Sequence, residues 1–152
     1  MNALTQTAVS ATLHCLTGCA IGEVLGMVVG NALDLHGTVT IILSVGLAFL
    51  FGYGLSMLPL LRHGLGLRRA MKVAFAADTA SITTMEFADN IFMLAVPGAM
   101  TAGLTSGLFW ASLAASLVVA FFVALPVNRW LISRGKGHAI AHKFHHHDHQ
   151  SA

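Results

Sequence analysis

A chain of 152 residues with 56% hydrophobic and only 9% charged side chains, and a mean hydropathy of +0.77, falls far below the roughly 25% charge of a soluble globule. Its formal charge of +2 comes from basic residues that flank the second loop or follow the last apolar run, so no basic patch is left to serve a nucleic acid. Two cysteines four residues apart in an apolar run exclude a small disulfide framework, because the Cβ vectors along one helix diverge.

Four apolar runs follow one another: Ala8–Asn31, Val39–Leu61, Ala70–Val96 and Leu104–Leu125. Each is long enough for a helix across a ~30 Å hydrocarbon core, which takes about 20 residues. Gly37, Pro59, Gly64, Gly66, Pro97, Gly98 and Pro126 stand where the runs should end. The pattern predicts an all-α polytopic membrane protein. Its four transmembrane helices occupy residues 1–135, and a histidine-rich tail occupies 136–152. Period-two alternation is absent, which excludes a β-barrel. Arg62, Arg68, Arg69 and Lys72 flank the second loop, and Arg129, Arg134, Lys136 and Lys143 follow the fourth helix. The positive-inside rule then places both termini in the cytoplasm of a bacterial inner membrane. The stretch "LTGC" ending at Cys19 has the look of a lipoprotein processing box, but no basic region precedes it and His14 and Cys15 interrupt the apolar core.

Helix 1 carries two rows at steps of four, and positions four apart share a helix face. His14, Gly18, Gly22, Gly26 and Gly30 form the first row, a ridge on which another backbone can approach closely. The second is Cys15, Cys19, Glu23, Met27 and Asn31. Cys and Met serve equally as apolar filler. Glu23 does not, since an acid inside a membrane span marks a functional site by default. A partner helix on the glycine ridge would shield the Cys–Glu row from lipid, and helix 3 is the expected partner.

In helix 2 the stretch Gly52–Gly54, "GYG", follows Phe49, Leu50 and Phe51 in an unbroken apolar run. It reads as packing rather than as an ion-channel filter, which needs extended backbone. Helix 3 places Asp78, Met85, Glu86, Asp89 and Met93 on one stripe. At ~2.5–3.5 kcal/mol for a mid-membrane acid, three acids cost roughly 7–10 kcal/mol if they face lipid. They must be shielded, protonated or bound to a cation. Glu23 and Glu86 both fall ~5 Å beyond the midpoints of parallel helices, at 1.5 Å per residue. Cys15 and Asp78 match in the inner half, and the same shift of 63 residues relates both pairs. Such a shift points to two helix hairpins related by an axis along the membrane normal. Helix 4 shows a small-residue ridge, Gly103, Gly107, Ala111 and Ala115, and no reactive group. Ridges on helices 1 and 4 are the expected seams of a homo-oligomer.

Six of the nine histidines lie in the tail, at His138, His142, His145, His146, His147 and His149. Histidine-rich tracts bind metals through neutral imidazole, and a solvated tail indifferent to metal is the plain alternative.

The pattern Cys15-x3-Cys19-x3-Glu23 among glycines, with "ADTASITTME" at 77–86, resembles a bacterial membrane family catalogued as domain of unknown function 4396. The resemblance covers about residues 10–130 and implies the four-helix membrane fold without implying an activity.

Thiols, thioethers and carboxylates at one level point to a transition-metal ion, copper- or zinc-like, because soft ligands select such ions. The expected metal ligands are Cys15, Cys19, Glu23, Met27, Asp78, Met85, Glu86 and Asp89, together with the tail histidines. Binding and transport of that cation is the leading expectation, with the lipid bilayer, the metal and further copies of the chain as partners. A proton-coupled carrier of small organic cations using Glu23 is the first alternative. A membrane metal buffer or sensor without flux is the second. No nucleophile–base constellation is present, so no enzyme is expected.

Overall fold

The computed structural model describes residues 3–62, 64 and 66–134. Four helices account for most of them: α1 (Ala3–Ala32), α2 (Thr38–Arg62), α3 (Leu67–Ala95) and α4 (Gly107–Ser133), with a 3-10 turn at Ala99–Thr101 before α4. No strand occurs among the described residues. The six-histidine stretch at 138–149 lies outside them.

The connections are short and built on residues that tolerate left-handed backbone. Gly37, Gly64 and Gly98 take φ of 58°, 80° and 82°, where a Cβ would be strained. Asp34 takes the same region at φ 56°, as Asp can when its short side chain bonds locally. α3 stops at Ala95 because Val96 precedes Pro97 and is driven to extended backbone, φ −88° and ψ 113°. α4 begins on Ser106, whose Oγ accepts a hydrogen bond from the Leu108 N–H at 3.2 Å.

Two expected stops are not stops. α2 continues through Pro59 to Arg62, and α4 continues through Pro126 to Ser133. A proline removes one backbone hydrogen bond but is tolerated in apolar helices, where neighbours re-satisfy the freed carbonyl. The helices therefore outrun the apolar runs at both ends of the chain.

α1, α2 and α4 are long and apolar enough to cross a membrane. α3 is of similar length, at 29 residues, but carries the three acids. Consecutive helices pack side by side, and α4 returns to α1, closing a ring. α1 and α3 also touch across its centre. The outward faces are apolar, with Leu25, Val28, Ile42, Leu50, Val118 and Phe122 exposed, as contact with a lipid bilayer requires.

The glycine ridge of α1 lies against α2 and not against α3. A Cβ on Gly18 would stand 2.6 Å from the Gly52 Cα, and one on Gly26 would stand 2.6 Å from the Ser44 Cα. Gly22 meets Ala48 and Gly30 meets Thr40 in the same way. The expected partner is thus corrected from helix 3 to helix 2, its neighbour in the chain. The ridge is used up inside the molecule and offers no seam to a second copy. Gly103 and Gly107, by contrast, are not packing positions among the described residues. Gly103 precedes α4, and neither glycine has an atom within 4 Å of where its Cβ would stand.

Candidate cation site

With α2 on the glycine ridge, the neighbouring row of α1 turns to the centre of the bundle, where α3 crosses it. The two helices then meet in tiers, and each tier is set by the four-residue step of α1.

The innermost tier is polar. Asn128 of α4 donates from Nδ2 to Thr12 Oγ1 at 2.8 Å and to Ser81 Oγ at 2.9 Å, joining α4, α1 and α3 in one buried node. Thr12 in turn donates to the Ala8 carbonyl at 2.7 Å. One turn along α1, the Cys15 thiol donates to Asp78 Oδ1 at 3.6 Å, across a sequence separation of 63 residues. That hydrogen bond realises the depth match read from the sequence. The next tier is sulfur-rich and apolar. Cys15, Cys19 and Met85 are buried with Ile82, Ala48, Ala120 and Ala124 in one cluster. Both cysteines are free thiols.

Above the sulfur tier the acids converge. Glu23, Glu86 and Asp89 are 7%, 5% and 5% exposed. The Glu23 carboxyl lies against that of Asp89, with Glu86 near both, and the Cys19 thiol stands beside Glu86. Although these groups are neighbours, neither oxygen of Glu23 or of Glu86 meets hydrogen-bonding geometry with a partner among the described residues, and Asp89 Oδ1 does not either. Among the described residues no Lys or Arg forms an ion pair with them. Buried polar atoms in native proteins have partners in the great majority of cases, so this cluster of orphaned oxygens asks for one.

The acids form the floor of a cavity of about 470 Å³. Its walls include Met27 and Asn31 of α1, Ser44 of α2, and Asn90 and Met93 of α3. Its mouth is made by the α1–α2 connection, Leu35 to Gly37, and by Ala99 to Gly103 before α4. Asn90 is held in place by its own helix, donating to the Glu86 carbonyl at 2.8 Å. The cavity ends at the acids. Cys15, Cys19, Met85 and Asp78 lie beneath it and do not line it.

Sequence reasoning placed the whole acid stripe, and Cys15, Cys19 and Glu23 of the other row, on inward faces, whereas Met27 is half-buried and Asn31 exposed. It missed the Asn128 node, because the apolar run of helix 4 ends at Leu125, just before Pro126. A lone Asn inside an apolar helix is itself a signal, since interhelical amides act as glue in lipid. It also missed Met100, which lies in a connection and lines the cavity. The expected single metal shell is not assembled as such. Among the described residues no group of three or more His, Cys, Asp and Glu is poised to hold a metal ion, the converging carboxyls of Glu23, Glu86 and Asp89 included.

A closed ring of apolar helices around a carboxyl-floored cavity defines a helical membrane-type protein with a polar interior. The chain belongs to the family described as Domain of unknown function (DUF4396), whose model matches residues 5–137. No curated protein and no solved structure matches it.

Proposed function

We propose that this chain spans a bacterial inner membrane four times with both termini in the cytoplasm, and that it binds and moves a transition-metal cation through the Glu23–Glu86–Asp89 cluster. One observation carries the reading: three carboxyl groups from two helices converge, at least nine-tenths buried and without a basic partner among the described residues, at the floor of an open cavity. Such an arrangement is costly in lipid unless something positive occupies it. The fourth span is supported by the sidedness of α3. Its three acids are buried, while Phe75, Phe87, Ile91 and Leu94 on its other faces are 50–70% exposed, as a lipid-facing surface would be. By the Lys/Arg distribution, the cavity mouth opens to the periplasmic side and the histidine tail meets the ion in the cytoplasm.

The test is flux and cation binding by the full chain in proteoliposomes. Glu23→Gln and Glu86→Gln should each lower cation uptake at least tenfold while the protein still inserts. In cation-free buffer both variants should be as stable as the parent or more so, because a buried unpaired carboxyl has been removed. Parental uptake in both variants would remove the site.

A second reading draws on the cavity volume. About 470 Å³ falls in the range that holds small organic molecules and is far larger than one ion needs. On that reading the acids bind an organic cation and exchange it for protons. Cys15→Ser with Cys19→Ser separates the two: organic-cation transport survives it and metal transport does not. Metal binding without flux would mark a buffer or sensor.

A further inference from the structure

We infer that the ion selected by this path is soft and monovalent, of the copper(I) and silver(I) class, and that it passes from thioether sulfur in the cavity wall to thiol sulfur beneath the cavity floor. The inference rests on reading Glu23, Glu86 and Asp89 as a cation site and specifies what that site selects.

The sulfur atoms are not scattered. The chain holds seven methionines and two cysteines. Met27, Met93 and Met100, from three different segments, line the cavity. Both cysteines and Met85 form the buried cluster directly below it, each no more than 2% exposed. The acids stand between the two groups, with Cys19 beside Glu86 and Glu23. A cation entering at the mouth therefore meets thioethers, then carboxyls, then two thiols and a thioether, along the line where α1 crosses α3. Methionine alone is adaptable filler, and Met71, exposed on the outer surface, is an instance. The second, independent observation is the set of orphaned Glu23 and Glu86 oxygens at the centre of the line.

Ligand count decides the class. Zinc takes four nitrogen, sulfur or oxygen ligands in a tetrahedron. The carboxyls of Glu23, Glu86 and Asp89 converge, but no group of three among the described residues is placed to hold it. Copper(I) accepts two or three sulfur ligands, and thioether and thiolate both select it. Cys15, Cys19 and Met85, packed in one cluster, offer such a set once the two thiols give up their protons, Cys15 to Asp78, to which it donates, and Cys19 to the neighbouring Glu86. The set's sulfurs pack against Ile82, Ala120 and Ala124, with the Asp78 and Glu86 carboxyls beside the thiols. The desolvation penalty rises with the square of the charge, which favours a monovalent ion over a divalent one there. The carboxyls attract the cation, and the sulfurs choose it.

The test is X-ray absorption at the copper edge on the full chain in nanodiscs, loaded with one equivalent of copper(I) as its acetonitrile complex without oxygen. The parent should show a sulfur shell around copper. The tail histidines supply only nitrogen, so sulfur scattering isolates the membrane site. Cys15→Ser with Cys19→Ser should remove that shell and weaken copper(I) binding at least 100-fold in competition with a chromogenic copper(I) chelator. Met27→Leu with Met93→Leu should slow silver(I) uptake into proteoliposomes at least tenfold. Should the double cysteine variant fail to fold, the volume-conserving Met85→Leu should lower the sulfur coordination number by one. Copper bound in the parent through nitrogen or oxygen alone would overturn the inference. So would a sulfur number unchanged by Met85→Leu, or zinc(II) uptake that matches copper(I) and depends equally on Glu23. Those outcomes leave a Glu23-dependent cation site standing. If Glu23→Gln alters the uptake of no cation, the underlying reading has failed instead.

Discussion

Gly18→Ala adds a single methyl group at the seam between α1 and α2, and the structure fixes what that methyl meets. It would stand 2.6 Å from the Gly52 Cα and 2.7 Å from the Gly52 nitrogen. Carbon atoms rest at about 3.5–4.0 Å, so the two helices must separate by roughly 1 Å there. Both obstructing atoms are backbone, and no rotamer change relieves them. Overpacking of this kind costs about 1–3 kcal/mol. Alanine is favoured over glycine within a helix by about 1 kcal/mol, which offsets part of it. The net expectation is a loss of up to about 2 kcal/mol. Gly46→Ala, on α2, is the matched control. Nothing lies within 4 Å of its Cβ position, so only the propensity term acts and the variant should gain up to about 1 kcal/mol. Equilibrium unfolding in mixed micelles against the mole fraction of denaturing detergent reads both. The two variants should move in opposite directions. Equal stability of Gly18→Ala and Gly46→Ala would refute the seam.

Asn128→Leu removes both interhelical hydrogen bonds of the innermost node. At ~0.6 kcal/mol for each such bond in lipid, it should cost about 1 kcal/mol in the same assay, and an unchanged midpoint would deny the node a structural role. Reporter fusions at Gly66 and Gly98 should report opposite sides of the membrane, since α3 lies between them. The same side at both positions would sink the four-span arrangement. Deleting residues 138–149 should lower metal stoichiometry and leave thermal stability in metal-free buffer unchanged. A large loss of stability would mean that the histidine stretch belongs to the folded core.

The candidate site was legible because a buried acid in an apolar helix has few explanations and because helical periodicity is rigid. Asp78, Glu86 and Asp89 had to share one inward face, and the step of four put Glu23 with the cysteines. The depth argument, which needs only 1.5 Å per residue, brought Cys15 to Asp78. What was not legible was partnership. A glycine ridge says that some backbone approaches it, not which one, and the neighbour in the chain took it. Nor does periodicity say where a helix ends when proline sits in an apolar stretch, which hid Asn128. The tiers were also invisible: thiols and carboxyls on one face read as one ligand shell, whereas successive turns of α1 keep them at different depths.

The seam and the acids belong to different stages of assembly. α1 and α2 are joined by a five-residue connection at 33–37 and close on each other through backbone contact, which asks nothing of the rest of the chain. In the four-span arrangement, α3 then enters the membrane with three acids, a burden of roughly 7–10 kcal/mol if lipid receives them. The inward face of α1, already oriented by its contact with α2, is the shelter that awaits them. Synthesis from the N-terminus makes the host surface before the guest helix. A chain rearranged so that α3 and α4 precede α1 and α2 would present the acids first, and its yield in the membrane would report how much of α3 insertion is borrowed from the hairpin that comes before it.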